Sequence, residues 1–482
     1  MRGRSLGVGA IGSPRLLGDG AIGLARLLRG VPVWRPRVVR ILQRDGLTLA
    51  ALVAIAAARR PDEVALLDDD GPLTYAELEQ LVASHAGELP PDLGRVEIRE
   101  PNHRSFVIAV AAALRRNADV VLLDPRSPPV DVSGGRRGRR GQIVLMTSGS
   151  TGSAKGVERG GVRSAQGIPI TTMVRLLPIS AGVPLVVTPP LFHGFGLGFL
   201  ALGLAFGMPV VLRRRLDPAE IADFVRAHPG CLLVGVPPVL ARIERAGAPA
   251  EPGAVVSGAG SLHPAVAARL SSSYGPVVFN LYGSSEDGWS TIATPADLAE
   301  APGTIGRPAA GVRVAVLDES GKPLRAGEIG HLCVASRLEF AQYAGGGGRA
   351  RLGGMADSGD LGHYDTAGRF FVDGRADDMV VTGGENVFPT EVEDVLLGHP
   401  AVAEVMVDGV PDEEYGARLE AFVVRRPSGE AALRAEDVPP LRAEELIAYA
   451  RTRLVPAKVP RIVHFVAALP MTPTGKPRRR VT

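Results

Sequence analysis

Short apolar runs alternate with amphipathic stretches along most of the chain. Residues 64–67, 120–123, 143–146, 183–188, 232–236 and 277–281 are dominated by Val, Leu and Ile over the length of a strand, which predicts buried strands. Between them, residues 75–87, 200–206, 218–228 and 264–272 read as helices. Asp217 and Pro218 give the third of these a capping residue and a first-position proline. Strand–helix alternation of this kind predicts an α/β architecture with largely parallel sheets. After residue 309 the style changes. Residues 312–317 and 330–335 read as strands of a smaller β unit, with a turn at Ser320-Gly321. Residues 370–375 lead into a final stretch with its own α/β pattern: a helix at 390–397, strands at 402–408 and 419–424, and a helix at 444–454. A domain boundary is expected near Gly374, giving domains 1–374 and 375–482.

The length of 482 residues supports this division, because a single hydrophobic core stops growing well before it. With 45% hydrophobic and 22% charged residues the balance is globular, and the 60 Gly and 40 Pro are scattered without period. A formal net charge of +3, with neither zinc-finger spacing nor a Lys-rich aromatic patch, does not argue for nucleic acid. Cys231 and Cys333 lie in apolar surroundings and read as inert buried thiols, which fits a reducing cytoplasm. Residues 176–212 carry no Asp, Glu, Lys or Arg, as a membrane span would, but five prolines and many glycines divide them into a strand, a loop and a buried helix. In residues 1–44 Arg occurs nine times against the single acid Asp19. That pattern suits a basic helical lead-in packing on the first domain, or a transit or weakly membrane-surface-binding segment. Residues 134–141, with four Arg, read as a solvated surface loop.

Chemistry enters with Thr147-Ser148-Gly149-Ser150-Thr151-Gly152-Ser153-Ala154-Lys155-Gly156, directly after an apolar strand. Glycine lets backbone amides approach polyphosphate oxygens, hydroxyls donate further hydrogen bonds, and Lys155 adds positive charge. This is not a Walker A loop: Ala154 stands where the second glycine belongs, and Lys155 is followed by Gly156. Taken alone, a flexible Ser/Gly loop would look much the same.

Other motifs narrow the reading. From about residue 47 to residue 476 the chain resembles the acyl-adenylate-forming superfamily of acyl-CoA synthetases, peptide-synthetase adenylation domains and luciferases. The resemblance rests on residues 145–156 as the phosphate loop, followed by Tyr282-Gly283-Ser284-Ser285-Glu286 and Gly303-Thr304-Ile305-Gly306-Arg307-Pro308. Further on come Ser358-Gly359-Asp360-Leu361-Gly362, Gly374-Arg375-Ala376-Asp377-Asp378, the loop around Gly383-Gly384-Glu385, and Pro473-Thr474-Gly475-Lys476. It implies a large N-terminal domain of layered α/β sheets with a small β-barrel-like unit, and a small mobile C-terminal α/β domain.

The resemblance also implies roles. Tyr282 would stack on adenine, with Gly258, Ala259 and Gly260 on the other side. Glu286 would ligate Mg2+, a hard cation suited to carboxylate and phosphate oxygens. Ser285 would keep a hydroxyl for the phosphates, within the turn of Gly283 and Ser284. Asp360 would accept from the ribose hydroxyls and Arg375 would contact ribose or phosphate. Lys476 would bridge the acyl carboxylate and the α-phosphate once the small domain closes. Asp377 would be the hinge, Gly383 and Gly384 would line the thiol tunnel, and His193 would gate the acyl pocket.

The reaction implied is ATP-dependent formation of acyl-AMP from a fatty or other apolar or aromatic acid, followed by transfer to CoA. Transfer to a carrier protein or partner enzyme, or nucleotide binding without turnover, are the alternatives. The glycine-rich run around His193 offers no Asp to pair an α-amino group, which disfavours amino acids. Two departures stand out. Only residues 126–141 separate the strand at 120–123 from the phosphate loop, where relatives usually have another helix and strand. Val380-Val381-Thr382 also lacks a lysine that some relatives carry there.

Overall fold

The computed structural model describes residues 34–91, 93–126, 141–148, 154–159, 168–247, 249–284, 287–336, 350–382, 385–412, 415–426 and 441–472. For residues 146–148 and 154–159 it describes the backbone alone. The basic stretch at 1–33 and the Arg-rich residues 134–140 lie outside.

Six parallel strands form the centre. Val64–Asp68, Val210–Val211, Leu185–Val187, Leu232–Gly235, Ala254–Gly258 and Val278–Ser284 lie side by side in that order. Most of their residues are buried, as expected for strands covered on both faces. One face carries the largest apolar cluster, centred on Leu185, Phe199, Leu200 and Val234. The other is covered by the helices Pro218–Ala227, Pro237–Ala246 and Pro264–Tyr274. A second sheet of four strands places Arg95–Ile98, Asp119–Leu122 and Ile143–Ser148 in parallel, with Ala154–Arg159 antiparallel at its edge. The two strands on either side of residues 126–141 are therefore direct neighbours.

The smaller β unit is continuous with the central sheet. Gly288–Ala293 returns antiparallel to Val278–Ser284. Thr304–Pro308, Phe370–Arg375, Met355–Tyr364, Gly330–Ala335 and Arg313–Leu317 then follow edge to edge.

The helix expected at 200–206 begins earlier, at Gly194, and runs to Phe206. Glycine costs about 1 kcal/mol per helical position, so propensity alone hides this start. Packing overrides it. A Cβ on Gly196 would stand 2.4 Å from the Pro190 carbonyl oxygen, and one on Gly203 would stand 2.6 Å from Val210. Among the described residues no helix is long and apolar enough to cross a membrane.

Residues from Val387 onward bury a core of their own, with Val392, Leu396, Val407, Leu419, Val423 and Leu446. It is built from the helix Pro389–Leu397, the hairpin Val402–Asp412 with Gly416–Arg425, the parallel strand Ile462–Phe465, and the helix Ala443–Arg451. Charged pairs lie at its contact with the large domain. Arg242 donates twice to Glu404, at 2.9 and 3.0 Å, and Arg245 adds a third bond at 3.2 Å. His263 meets Asp394. Partly exposed pairs contribute about 1 kcal/mol or less, so the two cores are joined by a modest seam.

Burial holds several weak acids in their neutral forms. Cys231 is pushed up to about 11 and Tyr274 to about 12, and Tyr75 is raised further, each chiefly by burial. Above pH 9 the unfolded chain ionises its thiol, and above pH 10 its phenols, while the folded chain keeps these protons. Stability therefore falls as pH rises through this window, by about 1.4 kcal/mol per group per pH unit. Melting temperature should drop steeply between pH 9 and 11, and Cys231→Ala should flatten the slope near its start. A melting temperature level across that window would refute the assignment.

Candidate active site

The carboxyl ends of parallel strands are where open α/β sheets hold ligands, and Gly258, Ala259, Gly260 and Tyr282 lie at such ends. Ala254–Gly258 ends at Gly258, and the next residue, Ala259, takes φ +58°. A left-handed non-glycine residue costs roughly 1 kcal/mol and marks a backbone held by its surroundings. A Cβ on Gly258 would stand 2.8 Å from the Phe195 ring, and one on Gly260 3.3 Å from Pro237. These three residues thus form a tight corner beside the neighbouring strand, which carries Tyr282.

From Tyr282 a chain of polar contacts runs to the junction with the last domain. The Tyr282 hydroxyl donates to Asp360 Oδ2 at 2.6 Å. Arg375 Nη1 donates to Asp360 Oδ1 at 3.3 Å, and Arg375 Nε donates to Asp377 at 2.8 Å. Pairing of Met355–Tyr364 with Phe370–Arg375 sets Asp360 directly opposite Arg375. Gly359, at φ +76°, makes room: a Cβ there would stand 3.0 Å from the guanidinium. Asp360 is oriented from below, because its backbone N–H donates to Ser358 Oγ, which itself donates to the Leu332 carbonyl. Desolvation first, then the Asp360 charge, holds the Tyr282 phenol well above its ordinary value, so it remains a donor. Asp377, first, and then Asp360 raise the Arg375 guanidinium, which stays charged.

Gly283 is required by the turn after Tyr282. A Cβ there would stand 2.0 Å from the Gly288 carbonyl oxygen, where the pairing of the two strands shifts register. Ser284 donates its hydroxyl to Asp287 Oδ2 at 2.9 Å and accepts from the Asp287 N–H at 3.0 Å. This closure brackets Ser285 and Glu286, which lie outside the described residues. Asp287 is buried, and sequence reasoning passed over it. Its signal was an acid directly after Glu286.

Thr147 and Ser148 end the strand Ile143–Ser148, and their backbones pair with Lys155 and Ala154. The phosphate motif is thus a β-hairpin, whereas a Walker A loop leads into a helix. Its tip, Gly149, Ser150, Thr151 and Gly152, lies outside the described residues. His193 is the N-terminal cap residue of Gly194–Phe206, makes no side-chain cap bond, and is partly exposed. Gly383, Gly384 and Lys476 also lie outside, the first two between the paired strands Val380–Thr382 and Glu385–Val387. Elsewhere, Asp68, Asp70 and His103 converge closely enough for a metal, but Arg104 and Arg214 already pair with the two carboxylates.

Residues 142–344 match the model of the AMP-binding enzyme family, and residues 391–476 match that of its C-terminal domain. A feruloyl-CoA synthase from an Amycolatopsis species is 32% identical over 471 residues, covering 90% of this chain and 91% of that protein. This chain belongs to the AMP-binding enzyme family. A medium/long-chain-fatty-acid–CoA ligase of Mycobacterium tuberculosis is 34% identical over 351 residues, 70% of this chain and 60% of that protein's length. The fold is that of o-succinylbenzoate CoA synthetase from Bacillus subtilis, solved with its acyl-adenylate intermediate. The TM-score is 0.73 at 23% identity, over 88% of this chain and 96% of that one.

Proposed function

We propose that this family member activates a carboxylic acid with ATP as an acyl-adenylate and then transfers the acyl group to the thiol of CoA. The observation that carries the reading is the Tyr282–Asp360–Arg375 chain at the carboxyl edge of the parallel sheet. It offers an aromatic face, an ionised double acceptor for ribose hydroxyls, and a fixed cation, in a family whose relatives above are named as CoA ligases or synthases.

In the first step the acid's carboxylate oxygen attacks the α-phosphorus and pyrophosphate leaves. No base is required, because the nucleophile is already ionised. Catalysis is positioning and charge stabilisation, with Lys476, the hydroxyl-rich hairpin and Ser285 meeting the developing charge. Glu286 would hold a Mg2+, since a carboxylate is a hard oxygen donor of the kind that cation prefers, and Asp287 directly after it is buried. That ion would neutralise phosphate charge.

We place the division between domains at Gly374 and the pivot at Asp377. The separate core beyond residue 387 and its charged seam support this. After the pivot, Gly383 and Gly384 would admit the thiol, which attacks the acyl carbon and releases AMP. His193 would border the acyl group.

Pyrophosphate release measured with a panel of carboxylic acids tests the first step. Mass detection of an acyl-CoA after CoA is added tests the second. Release without thioester would point to a carrier protein or another acceptor, and no release with any acid would refute activation.

A further inference from the structure

The first turns of the helix Gly194–Phe206 show an unusual open face. His193, Gly194, Leu197, Gly198 and Ala201 are partly exposed, whereas Phe195, Gly196, Phe199 and Leu200 are buried. Positions three and four apart share a helix face, so the open stripe is floored by Gly194, Gly198 and Ala201. One end lies against the phosphate hairpin: a Cβ on Gly194 would stand 3.3 Å from Leu145, two residues before Thr147. The other end is closed by Trp289, whose ring edge is 3.0 Å from the position of a Cβ on Gly198. Trp289 follows Glu286 by three residues, and Leu145 precedes Thr147 by two.

The stopper is backed. Phe199 lies against the indole, with ring centroids 6.3 Å apart, and Phe195 meets Phe199 edge to face at 5.4 Å. Gly258 admits Phe195 at a distance no Cβ would allow. Trp289 is partly exposed but on this side rests on a packed aromatic wall. Gly194 and Gly198 are four residues apart, and a helix rises 1.5 Å per residue, so Leu145 and the indole meet the helix at points about 6 Å apart along its axis. So short a spacing favours one flat ring or a few methylenes lying along the helix over an extended alkyl chain running past the indole.

We propose that Trp289 is the specificity-determining residue of this site, and that the acid it admits is compact and flat, of the single-ring aromatic class. This rests on the acyl-activating reading above. The acid's carboxylate sits near the hairpin, its ring lies on the Gly194–Gly198 floor, and the indole edge ends the slot.

The test is pyrophosphate release by the full chain with benzoate, cinnamate, octanoate and dodecanoate. For the parent chain, kcat/KM for the better single-ring acid should exceed that for dodecanoate at least tenfold. Trp289→Ala should raise the dodecanoate-to-ring ratio at least tenfold, mainly through KM for the acid, with KM for ATP unchanged. Trp289→Phe keeps an aromatic packing unit and should give an intermediate ratio, which protects the test if the alanine variant folds poorly. Gly198→Ala should lower kcat/KM for the ring acid severalfold by pushing a methyl against the indole.

A parent chain that uses dodecanoate within threefold of the ring acids, or a ratio unmoved by both Trp289 variants, would overturn the proposal while leaving acyl activation standing. Absence of pyrophosphate with every acid would remove the activation reading and this one with it.

Discussion

Lys476→Ala should lower the rate of adenylate formation by two to three orders of magnitude and leave thiolysis of a supplied acyl-adenylate within a few fold of the parent chain. The reasoning is electrostatic. As the carboxylate joins the α-phosphorus, negative charge collects on the phosphoryl oxygens and on departing pyrophosphate. A preorganised cation there stabilises the transition state more than the ground state. Removing one such donor from a water-excluded site typically costs about 3–4 kcal/mol, which sets the expected factor. In the second step the leaving group is AMP, its charge already present, and by the reading proposed above the small domain would have pivoted, so the lysine would have no comparable task. Both rates are measurable on one preparation: pyrophosphate release for the first, and AMP release from synthetic acyl-adenylate plus CoA for the second. Equal loss of both would sink the role and with it the placement of the closing motif.

The modest seam between the two cores is consistent with such a pivot. Arg242 and Arg245 on the helix Pro237–Ala246 grip Glu404, and His263 meets Asp394. Charged surfaces that separate become rehydrated, so parting them costs far less than parting an apolar interface of similar extent.

How much of this was legible in the sequence differs by residue. The central strands were, because a strand covered on both faces is apolar at every position, and such runs stand out against any background. Tyr282, Asp360 and Arg375 were legible as motifs far apart in the chain, and folding brings them within hydrogen-bonding reach. Three features were not. The early start of Gly194–Phe206 was hidden because glycine reads as a loop until its packing partners at Pro190, Val210 and Trp289 are known. The Arg242–Glu404 pair joins positions 162 apart, each of which alone reads as a solvated charge. Trp289 is one of only two tryptophans in the chain, yet nothing local says that its edge rests on Gly198. All three misses are long-range packing relations, to which local spacing is blind.

Asp360→Asn should be the second most damaging single change, and its signature should be loss of ATP affinity. The substitution keeps the shape and still accepts from Tyr282, whose phenol remains protonated. What it removes is the negative charge beside Arg375 and one of two equivalent acceptors. By the reading above those acceptors serve the ribose hydroxyls. A hydrogen bond to an ionised carboxylate contributes roughly 1.5–3 kcal/mol, so weakening two of them predicts a rise in KM for ATP of about a hundredfold or more. Arg375 retains Asp377 as a partner at 2.8 Å, so the site should not come apart and melting should shift by only a few degrees. Tyr282→Phe provides the internal control. It keeps the ring for adenine and removes only the donor that orients Asp360, so KM for ATP should rise about tenfold or less. If Asp360→Asn instead left KM for ATP unchanged and lowered the melting temperature sharply, the Tyr282–Asp360–Arg375 chain would be a structural brace between the β unit and the last domain. The nucleotide would then have to be held elsewhere.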